Sequence, residues 1–238
     1  MTTWWPYARI TAALLTVAAI VAQLARTVEI ALQSETEYGG HLPTVYANFF
    51  SFFTIDSNVL AAIALAVGAV WALTHRGTSE PEPQWLAILL ACASTYMIVT
   101  GIVYNTLLRG IALPQGATVG WSNEVLHVVV PLLLLADLLF APRRRALGWS
   151  AVAITAIFPI VWVVYTLIRA NLVIAPSTGN PHWYPYPFLD PNQNGGYGGV
   201  ALWVVLIAAI IVATGAFVVW VGRRRGASAS ASLTQAAT

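Results

Sequence analysis

An all-α bundle of six membrane-spanning helices is the fold this sequence predicts, on three observations. Hydrophobic residues make up 58% of the 238-residue chain and charged residues only 8%, with a mean hydropathy of +0.74. The apolar residues gather in long runs, and a helical span needs ~20 such residues. Turn chemistry separates the runs, and a chain of this length suits one domain of about six spans.

The first run occupies residues 7–33. It is longer than a signal-peptide core and reads as a retained span. Glu35-Thr36-Glu37-Tyr38-Gly39-Gly40 ends it, and a second span is expected over 47–74. Arg76-Gly77-Thr78-Ser79-Glu80-Pro81 then breaks the chain before a third span over 85–109. The stretch from Gly110 to Gly120 leads to a fourth over 121–140, and Pro142-Arg143-Arg144-Arg145 to a fifth over 148–169. A polar and aromatic loop fills 170–197 before the sixth span, 198–221. Residues 1–225 thus form a single transmembrane domain. The tail over 226–238 is mostly Gly, Ala, Ser and Thr and is expected to be disordered.

Arginine placement orients the spans. With the N-terminus inside, one side holds Arg9, Arg76, Arg143, Arg144, Arg145, Arg223, Arg224 and Arg225, and the other only Arg26, Arg109 and Arg169. Eight against three predicts that both termini are cytoplasmic. The Ala- and Arg-rich, lysine-free usage points to a bacterial chain, hence to the bacterial plasma membrane.

Composition also excludes functions. All eleven basic residues are arginine. Without lysine there is no retinal or pyridoxal Schiff base and no P-loop. One cysteine, Cys92, excludes disulfides, CxxC redox chemistry and cysteine-rich zinc sites. Of His41, His75, His127 and His182 only His127 falls inside a span, which argues against a bis-histidine haem. The net charge of +2 is small and says nothing about nucleic acid, and no nucleic-acid partner is expected. Membrane lipids are the expected surroundings.

The intramembrane polar residues follow one pattern: late in odd spans, early in even ones. They are Gln23, Arg26, Glu29 and Gln33; Ser51, Thr54, Asp56, Ser57 and Asn58; Thr100, Tyr104 and Asn105; Ser122, Asn123, Glu124 and His127; Tyr165 and Arg169. All lie in the half facing away from the arginine-rich side, with Asp137 the main exception. Residues three, four or seven apart share a helix face. On that basis Gln23, Arg26, Glu29 and Gln33 form one stripe, Cys92, Tyr96, Thr100 and Tyr104 another, and Trp162, Tyr165 and Arg169 a third. Such stripes can converge on an outward-facing polar cavity. Thr54 and His127 each lie ~10 Å into their spans at 1.5 Å rise per residue, a common depth consistent with contact. Thr54 shares its face with Asn58, whereas Asp56 points away. Asn123 and Glu124 flank the His127 face.

Bland readings stand beside these. A membrane threonine usually bonds its own helix or a neighbouring one, and an intramembrane histidine often makes an interhelical hydrogen bond. Arg26 and Glu29 read as a local ion pair, and Arg169 as a snorkelling side chain. The aromatic run His182-Trp183-Tyr184-Pro185-Tyr186-Pro187-Phe188-Leu189-Asp190 reads either as an interfacial anchor or as a lid over the cavity.

The stretches Phe53-Thr54-Ile55-Asp56-Ser57-Asn58-Val59-Leu60 and Asn123-Glu124-Val125-Leu126-His127 with Pro131 carry a family resemblance. So does the series from Pro159 through Trp162, Tyr165 and Arg169 to Trp183-Tyr184-Pro185-Tyr186-Pro187 and Gly196-Tyr197. Together they resemble the bacterial Pr-six-Pr membrane proteins, over most of the chain. That group is distantly similar to the animal androgen-induced family, six-span hydrolases of fatty-acid esters of hydroxy fatty acids. The resemblance implies a catalytic threonine and histidine, at Thr54 and His127.

The expected function is therefore an intramembrane hydrolase of lipid esters. Thr54 is the nucleophile and His127 the base. Asn123 or Glu124 is expected to fix the imidazole tautomer, and Asn58 to donate to the oxyanion. Asp56, Arg26, Glu29, Tyr104, Asn105, Tyr165, Arg169, Trp183 and Tyr184 are the further cavity candidates. The chemistry needs no metal and no organic cofactor. The alternative is a lipid or small-solute binder or transporter. The absence of a visible repeat, and only Pro131 and Pro159 well inside spans, weigh against transport. A structural subunit packed through its polar cluster is a third reading.

Overall fold

The computed structural model describes residues 4–111 and 117–236, with side chains as far as Gly226. It is all-helical, with no strand among the described residues. Six helices are long and apolar enough to cross a membrane: Trp5–Leu32, Phe53–Thr74, Gln84–Leu108, Gly120–Phe140, Ser150–Ala170 and Tyr197–Gly226. They match the predicted spans in number and order.

Helix α1 (Trp5–Leu32) packs along α3 (Phe53–Thr74), and α3 along α4 (Gln84–Val103). The fourth rod is α5 (Gly120–Glu124), one π-helical stretch (Val125–Val129) and α6 (Val130–Phe140). Helix α4 occupies the centre, against α3, α6, α7 (Ser150–Ala170) and α8 (Tyr197–Ala236). Its buried face is built from small and aliphatic residues, among them Leu86, Ala87, Leu90, Ala91, Ala93 and Met97. Small side chains on a central helix let its neighbours approach closely. At Gly101 of α4 an added Cβ would lie 3.0 Å from the Pro131 Cβ, so glycine permits that contact with α6.

The second span starts later than expected. The sequence places it over 47–74, but the chain forms a separate helix α2 (Leu42–Phe49), bends at Phe50–Phe52, and begins α3 at Phe53. Phe52 is extended (φ −75°, ψ 125°), and the Ser51 hydroxyl bonds back to the Ala47 carbonyl at 2.6 Å, closing α2. Hydropathy does not register the break because α2 is itself apolar. Three α7 side chains hold the elbow: Trp162 Nε1 donates to the Ser51 carbonyl (3.1 Å), the Tyr165 hydroxyl meets Ser51 Oγ (3.2 Å), and Arg169 donates to Asn48 Oδ1 (2.8 Å). The stripe Trp162, Tyr165 and Arg169 is thus a brace for the start of α3.

At the far end of the bundle, the N-terminal turns of α1, the C-terminal end of α6 and Arg225 of α8 come together. Asp137 accepts from Trp5 Nε1 (2.7 Å), Arg9 Nε (2.7 Å) and Arg144 Nη1 (2.9 Å). Arg9 is 4% exposed, and its Nη1 donates to the Gly68 carbonyl, where an added Cβ would come within 2.8 Å of it. Arg225 donates to the Leu138 carbonyl at 2.6 Å. The backbone of α8 is helical to Ala236, where the sequence predicts an irregular tail from 226. Residues 237–238 and the side chains after Gly226 lie outside the described residues.

Candidate functional site

Thr54 stands in the first turn of α3, not ~10 Å along a helix as the predicted boundary implies. Its main-chain N–H therefore has no intrahelical acceptor, as at any helix start. His127 lies in the π-helical stretch of the fourth rod. π-Helical turns inside α-helices occur often at functional sites. The structure brings the two side chains together: Thr54 Oγ1 is 3.3 Å from His127 Nε2.

The helix irregularities around His127 leave carbonyls to be satisfied. In the π-helical stretch the Val130 N–H bonds to the Val125 carbonyl and passes over that of Leu126. Pro131 has no N–H for the carbonyl of His127. Asn58 Nδ2 takes the Leu126 carbonyl at 3.2 Å, and Asn105 Nδ2 the His127 carbonyl at 3.3 Å. Asn58 also donates to the Thr54 carbonyl at 2.8 Å and is fully buried. Its amide protons are committed to the main chain, so the oxyanion role expected of it does not fit this geometry.

Protonation follows from the partners. His127 Nδ1 is 2.9 Å from the main-chain carbonyl of Asn123, an atom that only accepts. In the neutral ring Nδ1 carries the proton and Nε2 turns its lone pair to the Thr54 hydroxyl. The tautomer is set by the Asn123 backbone, not by the Asn123 side chain or Glu124 as expected. The Asn123 amide instead donates to the Tyr104 hydroxyl. Glu124 forms a two-pronged ion pair with Arg109 at 2.8 and 2.9 Å.

Tyr104 backs the imidazole. Its ring stacks on that of His127 with centroids 3.8 Å apart and planes 20° from parallel. The Arg109 guanidinium covers Tyr104 at 5.2 Å and donates to Asn105 Oδ1 at 2.9 Å. Tyr104 opens a second π-helical turn, Tyr104–Leu108, at the end of α4. Two such turns therefore face each other across the Tyr104–His127 stack.

Tyr186 completes the cluster, and the sequence reading did not single it out from its aromatic run. Its hydroxyl accepts from the Thr54 N–H (3.2 Å) and lies 3.3 Å from Thr54 Oγ1. Burial pushes the Tyr186 phenol up, against the hydrogen bonds with Thr54, so it stays protonated at neutral pH. The ring is held by stacking on Phe188 (5.1 Å) and edge-on against Phe52 (5.7 Å). The run 182–190 thus folds over Thr54. Asp190 anchors it by accepting from the Asn192 main chain, the Asn192 amide and Gln193 at 2.8–2.9 Å. Gly195 (φ 68°) and Gly196 (φ 89°) then make the left-handed turn into α8 that a side chain would strain.

Two cavities meet at Thr54. One, of about 170 Å³, lies between α4, α7 and α8 and is lined by apolar groups such as Val99, Pro159, Val163, Ile207 and Ile211. The other, of about 460 Å³, lies between α1, α2 and the 182–190 segment; Gln23, Thr27, Asn123, His127 and Trp183 line it. Thr54, Tyr104, Leu108 and Tyr186 line both.

The other candidates separate from this centre. Arg26 and Glu29 pair with each other at 2.7 Å on an exposed face and line neither cavity. Gln23 is the member of that stripe that reaches the site; it donates to the Ala117 carbonyl and accepts from the Val119 N–H. Asp56 lines neither cavity, in keeping with its position off the Thr54 face. Asn105, Tyr165 and Arg169 act behind the site. Tyr184 points its hydroxyl to Asn171.

The fold and site define a six-helix bundle of membrane-spanning character with a Thr–His–Tyr cluster at the junction of two cavities. Comparison with protein-family models, with curated proteins and with solved structures finds no match for this chain.

Proposed function

We propose that this chain is an intramembrane hydrolase of lipid esters, with Thr54 as nucleophile and His127 as base. The observation that carries the reading is the 3.3 Å approach of Thr54 Oγ1 to an imidazole nitrogen whose lone pair is turned toward it. Catalytic hydrogen bonds are often this long before substrate arrives. The cavities supply the second support. An acyl chain lying in the apolar one brings its ester carbonyl to Thr54, and the alcohol portion then occupies the larger, partly polar one. The resemblance of the Thr54 and His127 stretches to the Pr-six-Pr and androgen-induced proteins agrees with this assignment.

In the first half-reaction His127 Nε2 takes the Thr54 proton as Oγ1 attacks the carbonyl carbon, then returns it to the departing alkoxide. Water, activated by the same nitrogen, releases the fatty acid and restores Thr54. No metal or organic cofactor enters these steps. The arginine distribution supports an orientation with both termini cytoplasmic in a bacterial plasma membrane, surrounded by its lipids. The site then opens to the outer side.

An activated fluorophosphonate tests the nucleophile. The wild-type protein is expected to be labelled on Thr54, and Thr54→Ala to lose the label. Undiminished labelling of Thr54→Ala removes Thr54 from the role. A non-enzymatic lipid or solute binder is the second reading, favoured by the interrupted α2–α3 segment, since transporters place broken helices at their binding sites. It predicts no Thr54-dependent label at all.

A further inference from the structure

We infer that Tyr186 and the main-chain N–H of Thr54 form the oxyanion hole of this site, so that the loop over the cavity is part of the catalytic machinery. The inference rests on the Thr54–His127 hydrolase reading and adds the group that stabilises its transition state.

Counting protons leads to it. The neutral imidazole has its proton on Nδ1, facing the Asn123 carbonyl, so the Thr54 hydroxyl donates to Nε2. Thr54 Oγ1 is then an acceptor toward its other neighbour. The Tyr186 oxygen already accepts from the Thr54 N–H at 3.2 Å, which leaves its own proton for Thr54 Oγ1 at 3.3 Å. Two donors therefore converge beside the nucleophilic oxygen. One is a backbone N–H at the start of a 22-residue helix, where the macrodipole favours negative charge. The other is a buried phenol. The N–H···O bond, at 3.2 Å, is at the long end of the normal range and the O–H···O contact, at 3.3 Å, lies beyond it, so an incoming oxygen exchanges them for shorter ones at little cost.

The step balances. The Thr54 proton passes to His127 Nε2, an Oγ1–carbon bond forms, and the carbonyl π pair moves onto the carbonyl oxygen. That oxygen is bonded to the same carbon as Oγ1 and so comes within reach of both donors. Tyr186 O–H rotates from Oγ1 to the oxyanion, while the Thr54 N–H, fixed in direction by its peptide plane, is shared between the Tyr186 oxygen and the incoming oxyanion. Collapse of the intermediate restores the carbonyl, breaks the carbon–alkoxide bond and sends the proton from Nε2 to the alkoxide. Asn58, the donor expected from spacing, is held by the Thr54 and Leu126 carbonyls and takes no part.

The test uses the full chain in detergent micelles, a p-nitrophenyl ester of a medium-chain fatty acid and a fluorophosphonate, whose P–O oxygen occupies the same hole. Tyr186→Phe keeps the ring packing on Phe52 and Phe188 and removes one donor. It is expected to lower kcat by ~10²-fold, with KM and melting temperature unchanged, and to slow labelling of Thr54 by a similar factor. A fluorinated tyrosine at 186, a stronger donor of nearly the same shape, is expected to raise kcat. If Tyr186→Phe keeps kcat within twofold while Thr54→Ala is inactive, the oxyanion assignment is overturned and the dyad stands. A kcat loss that follows a fall in melting temperature, with no response to the fluorinated residue, assigns Tyr186 to packing and also overturns it. If the wild-type protein shows neither hydrolysis nor labelling that depends on Thr54, the hydrolase reading itself fails, and the oxyanion hole with it.

Discussion

Asn58 joins two helices through one amide. It donates to the Thr54 carbonyl within α3 and to the Leu126 carbonyl that the π-helical stretch leaves open. Replacing it by leucine keeps the volume and strips Leu126 of its donor. A buried carbonyl left without a partner costs ~1–3 kcal/mol. Asn58→Leu is therefore expected to lower the melting temperature in detergent, whereas a variant as stable as the wild type would show that the carbonyl finds another donor. Helical spacing places Asn58 beside Thr54, so its membership of the site was legible. Its role was not, because the carbonyl it serves exists only where another helix departs from α-helical bonding. Tyr186 was less legible still: 132 residues separate it from Thr54, and in the sequence it is one aromatic among several.

Among elements, the segment 182–190 lies against the larger cavity and is tied down by a carboxylate. Burial by itself would raise the Asp190 carboxyl, but hydrogen bonds from Gln193 and from the main chain and side chain of Asn192 outweigh it and hold the group below the usual value. A carboxylate whose folded value is depressed stabilises the fold fully above its ordinary pKa, ~3.9 for aspartate. That stabilisation is lost as the pH falls through the lower, folded value. Amide exchange in 183–190 is therefore expected to accelerate relative to α4 below about pH 4, and Asp190→Asn to abolish that pH dependence. Equal exchange in the two segments across this range would show that Asp190 does not hold the segment in place. The two π-helical turns belong to the same scale. Each lies in a run that reads as uninterrupted helix, and Pro131 alone hints at one of them. Side-chain patterning reports a helix face, not the register of its hydrogen bonds.

Across the whole molecule, the two ends of the bundle are held by different means. The end carrying Thr54 is tied by hydrogen bonds and aromatic contacts around cavities, and its ion pairs, Arg109–Glu124 and Arg26–Glu29, lie exposed. The opposite end is closed by buried charge: Asp137 with Arg9 and Arg144, whose side chains are 3%, 4% and 6% exposed, and Trp5 beside them. Glu82 is buried next to them, its carboxylate 3.6 Å from Arg144 and without a hydrogen bond among the described residues. Burial raises its carboxyl, and the two arginines oppose the shift. Removing one partner of a buried pair leaves an uncompensated charge and costs ~3–5 kcal/mol. Asp137→Ala is accordingly expected to reduce the yield of folded protein and to lower its melting temperature more than Asn58→Leu does. A melting temperature equal to that of the wild type would mean that Arg9 and Arg144 are solvated without Asp137. Asp137 stood out in the sequence as the polar residue on the wrong side of the pattern. Its function became clear only where α1, α6 and the 142–145 loop meet.

The sequence by itself determined the helical class, the number and order of the spans and the half of the bundle that holds the polar residues. Those properties follow from hydropathy and helical period, which act along a single segment. It also marked Thr54 and His127 as candidates at a common apparent depth, consistent with contact. The tertiary structure alone decided the elbow that starts α3 at Phe53, the backbone carbonyl that sets the His127 tautomer, and the descent of Tyr186 onto Thr54. It also dispersed the stripe of Arg26 and Glu29 from the cavity and turned that of Tyr165 and Arg169 into a brace. Each of these depends on which backbone groups are left unpaired when helices pack. That is a property of the assembled fold, with no trace in the periodicity of any one segment.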